Sequence, residues 1–174
     1  SVKSAYKVDV IEADEIKNVS DEVPELKILA VDIETHTNIG GDISAETDPI
    51  IMIALYGKGF EKVLTWKNFK AKLDYMEYLD SEAAMLERFA ELLDEFKPDI
   101  LTGYFSDGFD FPYIKTRIEK LKLKLKLGLD NSGIRIKKGK RPVTEITGIS
   151  HIDVFKVVKI IFRTTFTNFK LNDV

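Results

Sequence analysis

Leu26-Lys27-Ile28-Leu29-Ala30-Val31-Asp32-Ile33-Glu34 is the stretch on which the fold turns. It follows Pro24, is short, and is rich in aliphatic and β-branched residues, so it reads as a buried central strand. Its last residues turn polar. Asp32 and Glu34 are two apart, and because strand side chains alternate between faces, both carboxylates point to the same face of the sheet. Two like charges ending an apolar strand are costly, since in low-dielectric surroundings they repel and one is driven toward protonation. A divalent cation between them resolves the conflict, and hard oxygen ligands suit Mg2+ or Mn2+. The bland alternative is a solvated strand end capped by Lys or Arg.

Outward from this strand the chain alternates β and α patterns. Ile50 to Tyr56 is a second strand closed by Gly57 and Gly59, and Lys62 to Trp66 pairs with it as a hairpin. A loop containing Asn38, Gly40, Gly41, Asp42 and Pro49 joins the first two strands. From Asp80 or Ser81 to Phe96, Met85, Leu86, Phe89, Leu92, Leu93 and Phe96 recur at helical spacing, and Lys97-Pro98 stops the helix. Asp99 to Gly103 is then a strand after a helix, the mark of an α/β layer fold. A helix over 111–121 tolerates Pro112 in its first turn. The Leu-Lys alternation over 121–127 fits either a half-buried strand or the tail of that helix, and we place the helix end early in it. Ile134 to Ile136 and Val143 to Ile146 suggest a short β pairing, 148–152 a last strand, and 154–162 a last helix.

The second chemically suggestive stretch is Thr102-Gly103-Tyr104-Phe105-Ser106-Asp107-Gly108-Phe109-Asp110-Phe111-Pro112-Tyr113, an aromatic-rich turn from strand to helix. It puts Asp110 near a helix N-terminus between apolar anchors. Its bland reading is an N-cap that stabilises the first turn by ~1 kcal/mol.

The chain has 174 residues, 26 Lys+Arg against 29 Asp+Glu, and no Cys. That is the size of one domain with its own core, without disulfide or zinc-thiolate staples. No apolar run approaches the ~20 residues of a membrane span, and no signal segment opens the chain. The expectation is a soluble, cytoplasmic chain. The net charge of −3 hides an asymmetry. Residues 1–50 hold twelve acids and four bases, whereas residues 115–141 hold eleven bases and two acids. Such a split suits a polyanion near an acidic centre, or simply a solubilising lysine surface.

Val31-Asp32-Ile33-Glu34-Thr35, followed by Tyr104 to Tyr113, resembles the first and second exonuclease motifs of family B DNA polymerases in their archaeal form. Supporting stretches are Pro24 to Ala30, Pro98 to Tyr104 and His151-Ile152-Asp153-Val154-Phe155. The resemblance runs over 23–174 and implies a ribonuclease-H-like mixed sheet of about five strands flanked by helices. Residues 1–22 are then a lead-in from a preceding domain. What it further implies is a 3′-to-5′ proofreading exonuclease domain inside a larger, nucleoid-associated polymerase chain that works on the single-stranded 3′ end of a DNA primer, with a sliding clamp as a further partner of the parent.

On the same resemblance Asp32, Glu34 and Asp110 are the catalytic, metal-holding carboxylates, for two Mg2+ or Mn2+ ions, and Thr35, Tyr104, Phe105 and Phe109 border the DNA. Two ions about 4 Å apart clamp the attacking and departing oxygens of an in-line phosphoryl displacement. Two departures stand out. Phe105 occupies the place where the family's second motif carries Asn, and is either a stacking platform for a splayed base or core. The third motif, a Tyr and an Asp four residues apart, is expected beyond Val174, so the chain reads as a piece excised from a longer one, weak or inactive alone. The alternative is a non-catalytic module that binds single-stranded DNA or braces the polymerase.

Other residues carry more than one reading. His36 is either a metal ligand or a solvated loop residue. His151 with Asp153 has the look of a base and its orienter, yet strand geometry sets both on one face far along the chain from any nucleophile, and the resemblance implies that Asp153 is a structural or site-edge residue. Trp66 and Tyr56 read as packing. Lys137-Lys138-Gly139-Lys140-Arg141 is a phosphate-contact loop or a solvated hairpin tip.

Overall fold

A computed structural model describes residues 14, 15, 17, 20–36, 42–68, 71, 73–139, 142–165 and 168–171. Much of the lead-in, the loop residues Asn38, Gly40 and Gly41, and Lys140 and Arg141 lie outside the described residues.

The quoted stretch forms β1 (Ile28–Thr35). It pairs antiparallel with β2 (Ile50–Gly57), which pairs antiparallel with β3 (Phe60–Thr65). The hairpin expected from Gly57 and Gly59 is present, with Gly59 in the left-handed region at φ 69°. β4 (Met76–Tyr78) adds parallel to β3, an edge strand that the sequence reading did not include. Helix α1 (Glu82–Phe96) begins at the expected N-cap, where Ser81 Oγ accepts from Ala84 N, and ends at Lys97 in the left-handed conformation. β5 (Ile100–Gly103) pairs parallel with β1, and after helix α2 (Asp110–Lys120) and the antiparallel hairpin β6 (Arg135–Lys137) and β7 (Val143–Glu145), β8 (Ser150–Asp153) pairs parallel with β5. Helix α3 (Val154–Ile161) follows at once.

The main sheet is therefore mixed, in the order β4-β3-β2-β1-β5-β8, with six strands where about five were expected. The additional strand is β4. Residues 121–127 belong to neither helix nor ladder, yet Leu121, Leu123, Leu125 and Leu127 turn inward while the lysines between them face solvent. The period-two signal was real, and what it lacks is a strand partner.

The two faces of the sheet differ. On the inner face Leu29, Val31 and Ile33 of β1, Ile53 and Leu55 of β2 and Leu64 of β3 are buried against Met85, Leu86, Phe89, Leu92 and Leu93 of α1 and Phe111 and Ile114 of α2. A fully buried Leu or Phe of this kind contributes about 1.5–3 kcal/mol. The outer face carries Ile28, Ala30, Asp32 and Glu34 of β1, of which Ile28, Asp32 and Glu34 are exposed. The central strand is thus buried on one side only, and that leaves the carboxylates of Asp32 and Glu34 accessible. Loop 44–50, which leads back into the sheet beside the end of β1, is pinned by a buried bidentate pair. Arg117 donates to both carboxylate oxygens of Glu82 at 2.8 and 2.7 Å and to Ala45 O at 3.0 Å, and Glu82 Oε1 also accepts from Ile50 N at 2.8 Å.

Candidate functional site

β1 and β5 run side by side only as far as Ala30 and Thr102, because β5 ends at Gly103 and the chain turns away. Gly103 makes that turn possible. A Cβ there would lie 2.8 Å from both Val31 O and Ser106 Cβ, so only glycine lets the turn fold back this closely on β1. Beyond the turn, β1 has lost its neighbour on this side, and the amide of Ile33 donates instead to Asp110 Oδ1 at 3.2 Å across 77 residues of sequence. Asp110 is the first residue of α2 and is 3% exposed. It is not the N-cap considered above, since Phe109 holds that position with no side-chain cap bond and the Asp110 carboxylate is turned toward β1.

Burial, and then the charge of Asp32, push the Asp110 carboxyl up to about 7, against partial relief from backbone N–H groups. Asp32 is itself raised by desolvation, offset in part by the Ile33 amide. Asp32 and Asp110 thus meet as two like charges sharing one amide. Glu34 lies on the same face as Asp32, next to a β-bulge where the register with β2 shifts between Glu34 and Thr35, a feature that re-aims side chains at strand ends. Among the described residues no three His, Cys, Asp or Glu gather closely enough to hold a metal ion, so Asp32, Glu34 and Asp110 do not form a ready-made three-carboxylate site. His36, just beyond, is exposed.

Of the aromatic residues of the turn, Tyr104 lies beside Asp32. Tyr104, with Asp32, Thr102 and Val154, lines an apolar cleft of about 500 Å³ on the outer face, and its hydroxyl donates to Phe169 O at 2.6 Å. Phe109 is half-buried with its ring centroid 5.3 Å from that of Tyr113, and Thr35 ends β1. Phe105 is 47% exposed, with φ at 60°. A phenylalanine in this conformation is strained. Opposing the strain, its amide donates to Asp153 Oδ1 at 2.9 Å, its carbonyl accepts from Gly108 N and Phe109 N, and its ring lies over Gly108, where a Cβ would come within 2.4 Å of it.

A second buried aspartate sits three residues before Asp110, and the sequence reading passed over it. Asp107 is 4% exposed and accepts from Thr144 N at 2.6 Å and from Lys156 Nζ. Burial alone would raise it, but those donors and the nearby His151 hold its carboxyl below the usual range. His151 Nδ1 lies 3.2 Å from Asp107 Oδ1 without hydrogen-bond geometry, and its Nε2 is 3.0 Å from Ser106 Oγ. Burial lowers the imidazole despite Asp107, so it is neutral near pH 7. Ser106, His151 and Asp107 have the contact order of a hydrolase triad, yet Ser106 is fully buried and no substrate reaches it. Asp153 caps α3 through Phe155 N at 3.1 Å and accepts from Phe105 N and Asp107 N. Asp153 thus braces the turn, in keeping with a structural residue, and His151 contacts Ser106 and Asp107 rather than serving with Asp153 as base and orienter. Trp66 packs against the core, its indole N–H donating to Ile50 O at 2.7 Å, while Tyr56 is 67% exposed on the outer face instead of packed. Lys137 and Glu145 form a cross-strand ion pair at the base of the basic hairpin.

Residues 2–174 match the family described as DNA polymerase family B, exonuclease domain. The chain is 41% identical over 136 residues to DNA polymerase 1 of Pyrococcus abyssi and 38% identical over 136 residues to a DNA polymerase of Thermococcus kodakarensis. It covers 78% of its own length in each alignment, but 17% of the first relative and 8% of the second. Among solved structures it resembles the family B DNA polymerase of the hyperthermophilic archaeon Pyrobaculum calidifontis, with a TM-score of 0.60 and 26% identity over 78% of this chain and 16% of that one.

Proposed function

Because the chain belongs to the exonuclease domain family of family B DNA polymerases, we propose that it is the 3′-to-5′ proofreading part of a larger polymerase chain and removes nucleotides from a primer 3′ end. The observation that carries this reading is the approach of Asp110 to Asp32, two carboxylates raised by burial, Asp110 further by the charge of Asp32, with the Ile33 amide shared between them. An unneutralised pair of this kind fits a divalent cation better than any protein cation nearby.

Asp32 and Asp110 would hold Mg2+ or Mn2+, with Glu34 joining from the same strand face. When bound, such ions activate a water and stabilise the departing 3′ oxygen. The chain's own residues do the rest. Asp110 is fixed by α2 and the Ile33 amide, Tyr104 walls the cleft beside Asp32, and Thr35, Phe105 and Phe109 border the path of the strand. Proofreading, the DNA substrate and attachment to the remaining polymerase chain all belong to this proposal.

A non-catalytic, exonuclease-like module is the second reading, favoured by Phe105 in place of the family's Asn and by the lack, among the described residues, of three possible metal ligands gathered together. Mn2+ titration and primer-trimming assays separate the two. The nuclease reading expects the 174-residue chain alone to bind Mn2+ weakly and degrade single-stranded DNA slowly or not at all, since the third motif is not matched within it, and the full polypeptide to trim mismatched primers. DNA binding by the full polypeptide that ignores metal and yields no trimming would favour the module, and trimming by the isolated chain as fast as by the whole would refute the incomplete-site reading.

A further inference from the structure

The turn that delivers Asp110 is held from outside itself. Helix α2 begins without a side-chain cap, and the amide of its second residue, Phe111, donates back to Ser106 O at 3.1 Å. A helix start with no cap of its own is placed by whatever fixes the residues before it. Two of those residues, Phe105 and Asp107, donate their amides to Asp153 at 2.9 and 3.2 Å, and Ser106 Oγ meets His151 Nε2 at 3.0 Å. These ties run to β8 and to its junction with α3.

The Asp107 side chain reaches further. Its Oδ1 accepts from Thr144 N of β7 at 2.6 Å, its Oδ2 accepts from Lys156 Nζ of α3, and the same ammonium donates to Pro142 O at 2.6 Å. One carboxylate and one ammonium thus grip the returning side of the basic hairpin at two points, Pro142 and Thr144. The other titratable groups around the carboxylate are His151, whose Nδ1 lies 3.2 Å from Oδ1, and Asp153, whose oxygens are turned to the amides of Phe105, Asp107 and Phe155. Three residues on, Asp110 takes the Ile33 amide at 3.2 Å and faces the like charge of Asp32, which pushes it away from β1. A start of α2 without its own cap resists that push only through the residues that precede it.

We propose that Asp107 is a positioning residue of the nuclease, which with Lys156 locks the start of α2 to the hairpin and α3 and so keeps the Asp110 carboxylate opposite Asp32, where one cation can serve both. The proposal rests on the nuclease reading for its effect on rate and not for the placement of Asp110. A carboxylate that only stabilised the fold would register in the melting temperature alone. A positioning one registers also in the contact between Asp110 and Ile33, and in turnover.

The test uses the full polypeptide. Asp107→Asn and Lys156→Met break the pair from either side, and Lys156→Arg keeps a cation for the same two oxygens. Phe96→Ala is the control, because it removes a ring packed 5.0 Å from that of Phe60 at the far end of the sheet and lowers stability without touching the turn. Amide hydrogen exchange at Ile33 is followed in EDTA, and primer trimming with Mn2+. Asp107→Asn and Lys156→Met are each expected to speed Ile33 exchange about 10-fold, the worth of one hydrogen bond. Each should lower kcat by about 10- to 100-fold, as a displacement of up to about 1 Å does, with KM for the primer changed by no more than about 2-fold. The double variant should be no worse than the worse single, since both remove one tie, and Lys156→Arg should return both readouts toward the parent. Exchange and kcat that match those of Phe96→Ala overturn the positioning role, and so does faster exchange with kcat unchanged. If the unmodified polypeptide does not trim, the nuclease reading falls and exchange alone decides. Faster exchange at Ile33 in the pair variants then upholds the placement of Asp110 by Asp107, and unchanged exchange overturns it.

Discussion

Asp107 and Asp110 are three residues apart on one turn, both nearly inaccessible to solvent, and their carboxyls are driven in opposite directions. Asp107 receives an ammonium and a backbone amide and lies beside His151, and it is held below the usual carboxylate range. Asp110 receives backbone N–H groups but no cation, faces Asp32, and rises to about 7. Solvent exposure is nearly equal, and desolvation is the largest influence on both, but the donors around Asp107 together outweigh it whereas at Asp110 the charge of Asp32 adds to it. A charge supplied with its counter-charge holds elements together. A charge denied one is stored destabilisation that an external cation can relieve.

The sharpest break of this contrast is Asp107→Asn. It leaves Lys156 without its carboxylate and weakens the tie between the turn, β7 and α3, and removing one partner of a buried pair costs about 3 kcal/mol. That corresponds to a fall of about 6–12 °C in the melting temperature of a domain this size. Because the folded-state carboxyl is lowered, its contribution is present above the ordinary value of 3.8 and is lost as the pH falls below it. The gap between the variant and the parent in thermal melts should therefore narrow toward pH 3. A melting temperature within 2 °C of the parent at pH 7 would mean that Asp107 is not the brace described here.

Asp110→Asn should act in the other direction and less strongly. The folded-state carboxyl is raised, so between pH 3.8 and about 7 the native state binds more protons than the unfolded state and stability falls as the pH rises. An Asn keeps an oxygen for the Ile33 amide without the charge. In metal-free chain at pH 8 it should stabilise by about 2 kcal/mol, a discounted share of the 1.36 kcal/mol that each pKa unit represents. The gain should shrink toward pH 4. If the melting temperatures of the two proteins run parallel from pH 4 to 8, the carboxyl pair is already neutralised and the argument for a cation fails.

The two aspartates also differ in how far each could be read from sequence. β1, β2, α1, β5 and α3 announced themselves because each carries a complete local signal, a β-branched run closed by glycine or a capped helical stripe. β4 did not, because Met76-Glu77-Tyr78 is three residues of edge strand whose pairing with β3 is set by tertiary context. Asp110 was found through its motif match, and its meeting with Asp32 depends on a close approach that Gly103 permits. Asp107 was invisible because its partners, Thr144, His151 and Lys156, lie 37, 44 and 49 residues downstream with no periodicity linking them. The available hint was His151 on the inner side of β8, in register with buried Leu101, where a lone polar side chain requires a partner.

Glu34→Gln marks the smallest expected effect and sharpens the contrast most finely. Glu34 shares the outer face with Asp32 but is exposed and is not among the charges that raise Asp110. Removing its charge should therefore change metal-free stability by no more than about 0.5 kcal/mol, as for other surface substitutions. Divalent cation affinity is where it should register. If Glu34 joins the aspartate pair around an ion, Mn2+ must raise the melting temperature of the parent more than that of the variant at equal concentration, since stabilisation by a bound ligand follows the ratio of its concentration to its dissociation constant. Equal Mn2+ shifts in the two proteins would restrict the site to Asp32 and Asp110, and the bulge at Glu34 would then serve the path of the strand rather than the ion.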